Sequence, residues 1–117
     1  MTAESQMYQI DRLLSHVWMV RTFLKHSEEA EEDDELCGVH RGLYDYMLAL
    51  GGALRARDSE LYLRQARKKL PKLRRAVALY VEIQPEISGH TNFVMAAQSL
   101  TSAVDEITAL LEATEHP

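Results

Sequence analysis

The chain has a single cysteine, Cys37, so it can form no internal disulfide, and a lone thiol fits a reducing compartment. Glycine and proline are few, five and three, and fall mostly where helical patterns end. No strict two-residue alternation is long enough to propose a sheet. No apolar run approaches the roughly 20 residues that span a bilayer. The N-terminus, MTAESQMYQIDRLL, lacks a basic segment followed by an apolar one, so no signal peptide is expected and the expected location is cytoplasmic. No phosphate loop, nucleophile elbow or dinucleotide fingerprint occurs.

The 117 residues suit one domain, 1–117, with a core that needs neither disulfide nor metal. Apolar residues make up 46 % and charged residues 26 %, and the formal net charge is −5. The charge is segregated. Residues 1–57 carry six basic and ten acidic groups, 58–84 carry seven and three, and 85–117 carry none and five. A basic central segment thus lies between acidic ones, and the simplest expectation is neutralisation within the bundle or across a dimer.

The central segment, DSELYLRQARKKLPKLRRAVALYVEIQ, predicts one long helix over 58–84. At about 100° per residue, Tyr62, Leu63, Ala66, Leu70, Leu73, Val77, Tyr80 and Val81 share one arc. Arg64, Lys68, Lys72 and Arg75 line a solvated face. Asp58 or Ser59 supplies the cap. Pro71 predicts a kink with its ring on the convex side, the alternative being two helices broken near Leu70. Pro85 predicts the stop. A first helix is expected from Ala3 to His26, capped by Thr2, with Met7, Ile10, Leu13, Leu14, Val17, Val20 and Leu24 as its stripe. Residues 27–35, SEEAEEDDE, are expected to be a solvated connection. A second helix runs from Asp34 to Arg57, loosened at Gly51-Gly52, with Leu36, Val39, Leu43, Tyr46, Met47, Leu50 and Leu54 inward. A last helix spans Thr91 to Glu112, and the tail ATEHP is expected to fray. Four helices with short links predict an all-α, antiparallel, up-down-up-down four-helix bundle, its third helix kinked at Pro71. Three long helices with a shorter one across them is the alternative.

Polar residues on the apolar stripes are the candidates for chemistry. Arg21 and His40 both project inward near the hairpin joining the first two helices. A buried guanidinium needs a partner, and Asp45 or an acid from 31–35 is within reach. The structural reading is a satisfied polar cluster. The functional one is an anion site in which Arg21 clamps the ligand and His26 or His40 serves as acid or base. Arg21-Thr-Phe-Leu-Lys-His26 resembles, over six residues, the Arg, four residues, His motif of HEPN-class ribonucleases; it stands in a first helix rather than a late one. No histidine has the Lys-Gly context of phosphotransfer bundles, and no Glu-x-x-His pair marks a di-metal bundle. Cys37 and His40 would need two further zinc ligands, so no metal and no cofactor are expected.

Surfaces give the remaining candidates. Tyr8, Met19 and Phe23 form a second apolar set on the first helix. Gly38 and Gly42 open a ridge of small residues, with Asp45, Ala49 and Ala53, that admits another helix. With the basic row Arg64, Lys68, Lys72 and Arg75, these are the partner-binding candidates. The expected function is a non-enzymatic bundle acting through protein–protein contact, as a homodimer. The alternative is nucleic-acid binding by the basic helix, with RNA cleavage by Arg21 and His26.

Overall fold

A computed structural model describes residues 1–115 of the chain. Five helices follow one another: α1 (Ala3–Lys25), α2 (Glu28–Glu32), α3 (Asp34–Arg55), α4 (Ser59–Ile87) and α5 (Thr91–Glu115). There is no strand among the described residues. The molecule measures 44 × 23 × 19 Å. The long helices pack in a ring, α1 against α3 and α5, α3 against α4, and α4 against α5, while α2 lies on α1 and α3.

Side chains set the helix starts. Thr2 Oγ1 accepts from the Ser5 amide at 3.0 Å, Asp33 Oδ1 from Leu36 at 2.9 Å and Asp58 Oδ1 from Leu61 at 3.0 Å. Each satisfies an amide that has no partner within its helix. The apolar stripes then face one continuous core fed by all five helices. Met7, Ile10, Val17 and Leu24 of α1, Leu36, Leu43 and Leu50 of α3, Leu73 of α4 and Leu100 and Ile107 of α5 are essentially inaccessible to solvent. Two buried side-chain amides bond backbone carbonyls, one across the bundle and one at the C-terminal end of α4. Gln6 Nε2 donates to the Leu110 carbonyl at 3.2 Å, and Gln84 Nε2 to that of Ser88 at 2.8 Å.

Several sequence expectations need correction. The acidic connection contains a helical turn, α2, whose cap Ser27 accepts from the Ala30 amide while its hydroxyl donates to the Leu24 carbonyl at 2.7 Å. Pro85 does not stop α4, which runs through it to Ile87. Ile83 and Gln84 are buried and hold the last turn on the core. Pro85 is exposed and Val81, four residues back, is 45 % exposed, so the amide bond lost to proline lies on the wet side. Val81 therefore leaves the predicted stripe. Pro71 is also exposed, within a helix that is continuous from Ser59. α3 is helical through Gly51-Gly52 and ends at Arg55, short of Arg57. α5 extends to Glu115, beyond the expected Glu112; the expected fraying of the tail falls, at residues 116–117, outside the described residues.

Candidate functional site

The α1/α3 face holds the least ordinary surface of the molecule. Trp18 and Arg21 are three residues apart on α1 and so are neighbours on its surface. Tyr44 meets them from α3, its ring centroid 6.5 Å from that of Trp18. The Arg21 guanidinium carbon lies 5.0 Å from the Trp18 ring centroid and 4.6 Å from that of Tyr44. The cation is thus held by two aromatic faces. Its Nε is buried with no hydrogen-bond partner among the described residues. The carboxylate partner expected for Arg21 is not used. Asp45 is exposed and lines a groove on the α4 side of α3, because one residue's step from Tyr44 turns it away.

His40 is buried near this cation. Burial, and then the charges of Arg21, Arg41 and Lys25, push its pKa below the usual histidine value, so the neutral imidazole is favoured. The charge of Arg21 thus reaches His40, in a cationic end of the α1/α3 seam. His26 is not turned toward them. It is exposed at the C-cap of α1, about 140° around the helix from Arg21.

Alongside the aromatic pair a groove of about 480 Å³ opens between α1 and α3. Leu14, Met47, Leu50 and Leu54 wall it, Ser15, Trp18 and Met19 stand at its α1 side, and Tyr62 reaches it from α4. Tyr62 is 0 % exposed, and its hydroxyl has no hydrogen-bond partner among the described residues. Asp11 lines the same groove, half-buried, and burial pushes its carboxyl pKa up. Nothing in the sequence pattern singles out Tyr62 or Asp11. Tyr62 reads as an ordinary core aromatic and Asp11 as a surface acid.

The surface candidates divide. Tyr8 and Met19 are exposed, at 39 % and 67 %. Phe23 turns inward onto Phe93 of α5, with ring centroids 5.0 Å apart and edge to face. The ridge of small residues is used within the chain. A Cβ on Gly42 would lie 3.3 Å from that of Ala76, so α4 already occupies the close approach, while Gly38 has nothing nearby. Arg64, Lys68, Lys72 and Arg75 are all exposed on α4. No group of three or more His, Cys, Asp or Glu side chains among the described residues comes together to hold a metal ion, and no described helix is long and apolar enough to cross a membrane.

In comparisons with protein-family models, curated proteins and solved structures, nothing matches this chain.

Proposed function

We propose that this chain is a non-enzymatic helical bundle that acts through protein–protein contact, as a homodimer joined across the α1/α3 face. The observation that carries the reading is the apolar surface exposed there: Trp18, Met19 and Tyr44 are between 37 % and 67 % exposed. Tryptophan, tyrosine, methionine and arginine are the residue types enriched in the centres of interfaces. A two-fold axis through this face would bring the same patch of both copies together. The fold that presents it is, on this reading, an antiparallel up-down-up-down bundle bent at Pro71. The short links at 56–58 and 88–90 and the exposed position of Pro71 support that arrangement. The single thiol, Cys37, supports a cytoplasmic setting.

Light scattering at micromolar concentration should give twice the mass of one chain. Met19→Glu alters an exposed position and should halve that mass while leaving helix content unchanged. A parent protein that is monomeric at every accessible concentration would sink the reading.

The exposed row Arg64, Lys68, Lys72 and Arg75 favours a second reading, binding of a nucleic-acid backbone by α4. The net charge of −5 works against it. Unchanged mobility of RNA and DNA at low salt would remove it. Cleavage by Arg21 and His26 is not part of this proposal, because Arg21 is held over two adjacent rings and His26 faces elsewhere.

A further inference from the structure

We infer that the groove between α3 and α4 docks an amphipathic helix of another protein, apolar along its centre and acidic along the edge that faces α4. This surface is separate from the α1/α3 face, and the inference does not require self-association. The groove has a volume of about 340 Å³. Leu48, 63 % exposed, and Ala49 give its α3 side an apolar wall. Lys69 and Lys72 line the α4 side. Lys68 and Arg75, four and three residues from Lys72, continue the positive charge along the same edge of α4.

The first argument is charge. Neutralisation of the basic helix within the bundle does not reach this edge: Lys68, Lys69, Lys72 and Arg75 make no ion pair among the described residues. The edge is open to carboxylates that a partner brings, and charge complementarity of this kind fixes both partner and register. The second argument is the opposite wall. Asp45 is exposed and lines the groove on α3. A nucleic-acid backbone is negative throughout and would meet repulsion there. A protein helix can carry acids on one edge, a base on the other and apolar residues between them, over Leu48. The third argument is the backbone. Both walls are helices, and there is no strand among the described residues, so an extended peptide finds no sheet edge to pair with. A helix satisfies its own backbone and docks through side chains alone.

The probe is a synthetic, fluorophore-labelled peptide of about 15 residues, with leucines at helical spacing and glutamates between them. Fluorescence anisotropy should show saturable binding of one peptide per chain, and circular dichroism a gain of helix. Leu48→Glu should weaken binding by about tenfold or more, as loss of a central apolar contact implies. Lys72→Glu should weaken it by about tenfold at low salt and by less near physiological salt. Both positions are exposed, and circular dichroism of the free variants checks that the fold persists. The same peptide with lysine in place of glutamate should bind the parent weakly and Lys72→Glu more tightly than the parent. Failure of the glutamate peptide to saturate overturns the inference. So does parental affinity in folded Leu48→Glu, or equal affinity of the parent for the lysine peptide. Displacement of the peptide by an equal concentration of single-stranded RNA would assign the basic edge to nucleic acid, and a fall in the mass of the free protein on Leu48→Glu would assign the groove to a second copy. Either result overturns it as well.

Discussion

Tyr46, Tyr62 and Tyr80 are each no more than 2 % exposed, and burial raises the pKa of all three hydroxyls, that of Tyr80 to about 12. What separates them is bonding. Removing the hydroxyl of Tyr46 or Tyr80 deletes a bond to a backbone carbonyl, so each Tyr→Phe change should lower stability by about 1 kcal/mol. Tyr62→Phe removes a desolvated group without a partner and should be neutral or stabilising by up to about 1 kcal/mol. Urea unfolding of the three variants decides the matter. A loss at Tyr62 equal to the other two would show that its hydroxyl is bonded in solution. Arg21 teaches a related lesson. Its place on an apolar stripe was legible in the sequence, and so was its need for company. That the company is aromatic was not, because Tyr44 arrives from another helix and an isolated sequence does not say which edge of α3 faces α1.

At the scale of elements, the α3–α4 turn shows how one residue's backbone decides a boundary. Arg57 has φ of 54°, the left-handed region that disfavours a side chain. Its amide bonds the Leu54 carbonyl at 3.0 Å and the next amide, of Asp58, bonds that of Ala53 at 2.9 Å, which closes α3 with the paired bonds of a Schellman motif. Asp58 then caps α4 with its side chain, so three residues, 56–58, end one helix and begin the next. Glycine is the residue this geometry favours. Arg57→Gly should raise stability by about 1 kcal/mol, read as an increase in the thermal midpoint. No gain would mean that the arginine side chain contributes a compensating contact. The sequence extends the helix to Arg57 because nothing marks arginine as a helix terminator. The opposite error occurs at Pro85, where a strong stop signal yields to the burial of Ile83 and Gln84.

For the whole molecule, the cationic seam makes stability depend on pH. His40 is buried near the charges of Arg21, Arg41 and Lys25, so its folded pKa lies below the usual histidine value of about 6.5. Below about pH 6.5 the unfolded chain takes up a proton that the folded chain resists. The contribution is therefore complete above that pH, is lost as pH falls toward the folded pKa, and levels off beneath it. Urea midpoints should fall between pH 7.5 and 5.5, and His40→Gln should reduce that fall. Asp11 acts in the opposite sense, since its raised pKa penalises the folded state as it ionises, but it is common to parent and variant and cancels in the comparison. An equal fall in both proteins would show that His40 titrates freely.

The sequence by itself determined the all-helical class and most of the core, because a stripe such as Phe93, Ala96, Leu100, Ile107 and Leu111 repeats with the helical period whatever its neighbours are. It also determined the cap at Thr2 and narrowed that of α4 to Asp58 or Ser59, because cap bonds are local. Only the tertiary structure decided which side each stripe's edge would face. It turned Phe23 inward onto Phe93, gave the Gly42 ridge to Ala76, set Arg21 over two adjacent rings, and placed Tyr62 and Asp11 around one groove. Those arrangements join residues tens of positions apart, and they depend on helix rotation and pairing, which the period of one helix does not encode.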